Sequence, residues 1–339
     1  MTQNEPSHLL RKFAFLLVTA AGALLLLWAF GALWYDLPVS SIGRKMVAFL
    51  LVVTCGLLWF AGKWKQRIAA ACLIAAVMAW WFTQSPRDDR PWQPDVARTA
   101  SVEIQGDVLI FHNVRNCDYR TETDYTPRWE TRTVRLSNIT GADMALTYWG
   151  SPYIAHPIIS FQFSDSPPLC FSIETRKEIG ESYSSIGGFF RQYELIYVVA
   201  DERDVVRLRT NYRKGEDVYL YRLNLTPDQA RERFMEYVKV LNELHAKPRW
   251  YNALTTNCTT AIRTQHTAKK RMPWDWRILA NGKGDEMLYE RHALRTGGLP
   301  FPELKLRSHI NPLVRDAADA PDYSTLIRSN LPTEPTNEP

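Results

Sequence analysis

The feature that most constrains this chain is an uncharged apolar run near its start, Phe13 to Tyr35, "FAFLLVTAAGALLLLWAFGALWY". A helix of that length crosses the roughly 30 Å hydrocarbon layer of a bilayer, and a signal peptide would show a shorter apolar core followed by a small-residue cleavage site. Two further runs follow, Met46 to Gly62 and the shorter Ile68 to Phe82, which Trp64 and the pair Trp80-Trp81 extend toward opposite interfaces. None of the three contains Asp, Glu, Lys, Arg or His, so the usual mark of an ion or proton pathway is missing. Anchoring is the simplest role, and the small-residue stretch "IAAACLIAAVMA" adds close helix packing or lipid contact.

Charge sets the expected orientation. Arg11 and Lys12 precede the first run and Lys63, Lys65 and Arg67 fill the turn before the third, against Arg44 and Lys45 on the other side. The positive-inside rule then places the N-terminus in the cytoplasm and everything after residue 83 in the periplasm of a bacterial inner membrane. A net charge of +5, spread along the chain, does not point to nucleic acid, and the densest cluster, "RTQHTAKKR", suits a solvated helix end or anionic headgroups equally well.

Residues 84–100 mix proline with charge and read as a linker after a 1–83 anchor, and the Pro-, Thr- and Glu-rich residues 330–339 read as a disordered tail. Between them, 101–329 has the composition of one water-soluble α+β domain. "SVEIQ" and "VLIFHNV" flank Gly106-Asp107, a hairpin turn signal. "TRTVRL", "IISFQF", "LCFSIE", "YELIYVVA" and "DVYLYRLNL" are further strand candidates. Thr226, Pro227 and Gln229 form a capping-box start for a helix whose apolar stripe is Phe234, Val238, Leu241 and Leu244.

A second helix start follows in "WYNALTTNCTTAIRTQH", where Thr255, Thr256 and Asn257 are all competent caps in front of Cys258. A thiol in a first helical turn lies near unpaired N–H groups and the positive end of the helix dipole, which favour a thiolate and an oxyanion. The alternative is a buried structural cysteine. Cys55 and Cys72 fall inside the apolar runs, and Cys117 and Cys170 are available for a disulfide in an oxidising compartment.

A reactive thiol needs a base. His8 precedes the first span, and His266 lies about 12 Å along the helix from Cys258 at 1.5 Å per residue. His245, His292 and His309 suit solvated positions. His156, at the front of "HPIISFQF", is the candidate, with His112 its rival. A turn at "SDSPP" pairs "IISFQF" with "LCFSIE". The turn centres near Asp165 or Ser166; a Ser166 centre sets Ile158 opposite Glu174 and Ser160 opposite Ser172, so that His156, Ser172 and Glu174 share a face. Glu174 or Ser172 would then orient the imidazole; otherwise Glu174 pairs with Arg176 or Lys177 on the surface.

"HPIISFQFSDSPPLCFSIETRKEIGESYS", "FFRQYELIYVVADERDV" and "YNALTTNCTT", in that order, resemble the Lnb N-terminal periplasmic domain family, over roughly residues 100–310. That family is similar to the circularly permuted papain-like group of NlpC and lecithin:retinol acyltransferase-like thiol enzymes. The resemblance implies a permuted papain-like antiparallel sheet, with His156 as base to a Cys258 nucleophile and Glu174 or Ser172 in the third position. Asn257, Thr259 and Tyr251 are the accompanying candidates for substrate or oxyanion contacts. Its implied activity is cysteine acyl transfer, from a phospholipid acyl donor through a Cys258 thioester to the amine of a lipoprotein or peptide. The other reading is a membrane-anchored amidase or peptidase acting on cell-wall peptides, and a non-catalytic binding module is a third. No HExxH, paired CxxC, GxxxxGK or GxSxG is present, so no cofactor or metal is expected.

Overall fold

A computed structural model describes residues 5–265 and 273–332. The chain divides into two compact units: residues 1–87 together with 183–193, and residues 88–182 together with 194–339.

The first unit is built on three helices, α1 (Glu5–Asp36), α2 (Ser41–Phe60) and α3 (Trp64–Thr83). All three are long and apolar enough to cross a membrane. Ser40 caps α2 by accepting from the Gly43 N–H at 3.2 Å, which stops α1 and α2 from fusing into one rod. Ala29, Leu33, Ala48, Leu51, Cys55, Ala70 and Ile74 make the helix contacts, and the small residues among them allow close backbone approach.

The second unit is α+β. Its strands are β1 (Ser101–Gln105), β2 (Val108–Arg115), β3 (Asp118–Tyr119), β4 (Tyr125–Thr126), β5 (Trp129–Arg135), β6 (Ile139–Trp149), β7 (Ala155–Phe163), β8 (Leu169–Arg176), β9 (Glu194–Ala200) and β10 (Glu216–Arg222). The main sheet runs β1-β2-β9-β8-β7-β6-β10, with β5 paired to β2. It is antiparallel except where β2 meets β9. The helices of this unit are α4 (Glu202–Val205), α5 (Pro227–Ala246), α6 (Cys258–Gln265), α7 (Gly284–Glu290), α8 (Phe301–Ser308), α9 (Asn311–Val314) and α10 (Tyr323–Leu326).

Strand alternation divides the sheet into two differently covered faces. On one, Phe161 and Phe171 meet Phe234 and Tyr237 of α5 ring to ring, at 4.9 to 5.8 Å between centroids. On the other, Ala145, Ile158, Cys170, Val198 and Val218 pack beneath Ile310, Val314, Tyr323 and Ile327.

The expected strands all form, and the capping box at Thr226 and Gln229 is present. The hairpin takes the first of its two expected centres. Ile158 lies opposite Ser172 and Ser160 opposite Cys170, so the turn centres on Asp165 and the pairing is two residues from that of a Ser166 centre. Because side chains repeat every two residues, that shift leaves every residue on its expected face.

The stretch 84–100 is a linker only at its start. From Asp88 onward it is built into the second unit: Trp92, Val96 and Ala100 are buried. Arg176 donates to Val96 O at 2.9 Å and Ala97 O at 3.0 Å, and its guanidinium lies over the Trp92 ring. At the other end Leu331 still packs on the core, and residues 333–339 lie outside the described ones. Cys117 and Cys170 form no bridge: both are buried free thiols in separate clusters.

Candidate active site

Helix α6 begins where the sequence places it. Asn252 Oδ1 accepts from Leu254 N and Thr255 N at 3.0 Å, turning the chain. Asn257 is the cap: its Oδ1 accepts from Thr259 N at 3.0 Å and Thr260 N at 2.8 Å, while its own N–H donates to Thr260 Oγ1. Its amide also donates to Ala253 O at 2.7 Å. Capping therefore consumes the N–H groups of residues 259 and 260 and the side-chain amide of Asn257. The oxyanion contacts expected of Asn257 and Thr259 therefore meet an Asn257 side chain and a Thr259 N–H already engaged in the cap. Tyr251 is buried just upstream of this turn.

Cys258 itself is 9 % exposed. Asn281 Nδ2 donates to its Sγ at 3.5 Å and Thr259 Oγ1 lies 3.9 Å away. Burial raises the thiol above its ordinary pKa, and the contacts to Thr259 and Asn281 offset that only in part. At neutral pH the sulfur is a thiol. The same Asn281 accepts from Ala155 N at 2.8 Å, tying the front of β7 to the sulfur. Beside it Gly282 is obligatory, since a Cβ there would stand 2.5 Å from Pro152 O. Asn281 escaped the sequence reading; the only local signal was the Asn281-Gly282 turn dipeptide.

Thr259 and Asn281 also line a cavity of about 260 Å³. Its other walls are largely apolar, with Leu146, Pro157, Ile159, Ile262 and Met287 among them.

His156, Ser172 and Glu174 do come together. His156 Nε2 and Ser172 Oγ are 2.7 Å apart, and Ser172 Oγ donates to Glu174 Oε1 at 2.6 Å. Ser172 has one proton and gives it to the carboxylate, so the short contact to His156 requires Nε2–H as donor and leaves Nδ1 as the unprotonated nitrogen. Burial, with Arg209 nearby, holds the imidazole down at a pKa of about 3. Burial opposes ionisation of Glu174, but Arg115, Arg209, His156 and the Ser172 hydroxyl outweigh it and keep the carboxylate well below its usual range.

This cluster and Cys258 lie on opposite faces of the sheet. His156 shares its face with Ile158 and Ser172, and Ile158 is under the C-terminal core. Helix α6 packs on the other side, where Thr259 and Ile262 share the cavity wall with Pro157 and Ile159. Among the described residues no hydrogen bond joins His156 to Cys258. The expected pairing of imidazole and thiol is thus not formed, because adjacent strand positions point oppositely and it is Pro157, not His156, that faces the helix.

Three further histidines have ordinary partners. His112 pairs with Glu103, His245 with Thr99 and His309 with Asp217. His266 lies outside the described residues. Among the described residues, no cluster of His, Cys, Asp and Glu has a metal-binding arrangement.

Fold and site together define an α+β domain with a helix-start thiol beside an apolar cavity, on a chain with three candidate membrane spans. Residues 125–282 match the family model of the Lnb N-terminal periplasmic domain. The match runs from β4 to the Asn281-Gly282 turn and takes in His156, Ser172, Glu174 and Cys258. Comparison with curated proteins and with solved structures gives no match.

Proposed function

We propose that this protein is an inner-membrane thiol acyltransferase with a periplasmic catalytic domain, in which Cys258 carries a fatty acyl group from a phospholipid to the amine of a lipoprotein or peptide. The observation that carries this reading is the position of Cys258 at the first turn of α6, hydrogen-bonded to two residues that line an apolar cavity. The spans support it, since leaving the bilayer costs a lipid about 0.8 kcal/mol for every CH₂ exposed. The proton count closes without an imidazole. Sulfur bonds to the ester carbonyl carbon, the ester C–O bond breaks, and the thiol proton leaves with the alcohol. In the second half, the amine nitrogen bonds to the same carbon, the C–S bond breaks, and a proton from nitrogen returns to sulfur. Asn281 Nδ2 supplies a donor to the sulfur in both halves. The papain-like kinship is carried by the chain order of histidine strand and cysteine helix alone.

A second reading is favoured by the raised thiol pKa and by the sheet between Cys258 and His156. In it the cavity binds an acyl chain without covalent chemistry. Full-chain protein in detergent micelles, given a phospholipid with a labelled acyl chain and a synthetic amino-terminal lipopeptide, separates the two. Label in the peptide, lost in Cys258→Ser, supports acyl transfer. Label held by wild type and Cys258→Ser alike, and removed by organic extraction, supports the binding module.

A further inference from the structure

The segment joining β8 to β9 is long, and residues 183–193 of it belong to the membrane-helix unit. "YSSIGGFFRQY" is held there by specific contacts. The backbone N–H of Arg191 donates to both carboxylate oxygens of Asp36 at 3.1 Å, and Trp81 Nε1 donates to the same carboxylate at 2.6 Å. The Arg191 guanidinium donates to Trp81 O and, at 2.7 Å, to Gln84 O, and it stacks on the Trp81 ring at 3.8 Å. Phe190 stacks on Tyr35 at 5.3 Å and presses so closely on Gly31 that a Cβ there would meet its ring at 2.1 Å. The loop is therefore fixed to the end of α1 and the end of α3, where a spanning helix leaves the hydrocarbon and enters the headgroup zone.

At that fixed depth the loop presents large apolar side chains outward. Ile186 is 61 % exposed, Tyr183 49 % and Phe189 44 %. The loop is compact rather than loose: Gly188 N donates to Ser184 O and Phe190 N to Gly187 O, both at 3.0 Å. Buried Gly187 and Gly188 form the inner side of the turn, leaving the apolar groups on its outer side.

We propose that residues 183–190 are an interfacial membrane-insertion element, with Tyr183, Ile186 and Phe189 seated at the boundary of headgroups and acyl chains. The occupant of this apolar face is lipid because its anchor points lie at the membrane ends of α1 and α3. It gives the chain a lipid contact beyond the three spans, placed between the strand that carries Ser172 and Glu174 and its neighbour β9. The inference rests on the spans and not on acyl transfer.

The test uses the full chain reconstituted in phosphatidylcholine–phosphatidylglycerol vesicles, with an environment-sensitive fluorescent amino acid in place of Ile186 or of Phe189. A third position, the exposed Phe49 within α2, serves as reference. Probes at 186 and 189 are expected to lose most of their emission to lipids carrying a spin label near the headgroup and little to aqueous iodide. Quenching of both by iodide, with lipid quenching only at 49, overturns the proposal. A probe at 49 that lipid labels fail to quench overturns the span reading and this proposal with it.

Discussion

The His156 imidazole is buried beside Arg209, and that environment makes a signed prediction. Its folded pKa of about 3 lies below the ordinary histidine value of 6.5, so the unfolded chain takes up a proton that the folded chain refuses. Stability is complete above about 6.5 and falls with pH toward about 3, by at most about 1.4 kcal/mol per pH unit. Glu174, whose folded pKa is also lowered, adds to the loss in the same direction at the acid end. Chemical denaturation of the full chain in detergent between pH 7 and pH 4 checks this. His156→Gln should flatten the slope, and an unchanged slope would contradict the burial and tautomer given to this residue. Glu174→Gln should cost about 1–3 kcal/mol, because Arg209 loses one of two carboxylates while Arg115 keeps Asp204. At Cys258 the sign is opposite. Its raised pKa makes iodoacetamide alkylation climb with pH past the range of a free cysteine, and Asn281→Leu should move that rise to still higher pH. Much of this scale was legible. Cys258 as the first residue of a helix, Asn257 as a competent cap, and a shared face for His156, Ser172 and Glu174 all follow from residue type and alternation. The relation of thiol to imidazole was not, since a strand pattern gives two faces without saying which of them a distant helix covers.

Elements with strong local signals were the readable ones. Helix α5 showed its capping box and stripe in sequence, and it seats Phe234 among Phe111, Phe161 and Phe171. Phe234→Ala should therefore cost about 3–5 kcal/mol in denaturant midpoint analysis, with the cavity it leaves as the main cause. The helix-start cap is worth less: Asn257→Ala should cost about 0.5–2 kcal/mol and expose the first turn of α6 to faster hydrogen exchange. Strand β6 was missed, although it is the longest of the sheet. Its middle is buried on both faces, so no polar–apolar alternation marks it, and Gly141 with the register shift beside it interrupts the run. The short helices α8 to α10 were missed for the converse reason. They are single turns or little more, stabilised by packing rather than by periodicity.

At the scale of the whole molecule, the spans were legible because a bilayer demands a length that few other environments do. The extent of the folded domain was less so. Residues 88–100 have a linker's composition, yet Arg176 draws them onto the sheet through carbonyls that composition does not report. In the proposed function an anchored chain acts through one sulfur, and intact mass spectrometry of full-chain protein extracted from membranes reads that atom directly. The expected result is a fatty-acyl adduct that neutral hydroxylamine removes and that Cys258→Ser never acquires. An unmodified wild-type mass in every preparation, alongside undiminished amine acylation by Cys258→Ser, would contradict the central claim.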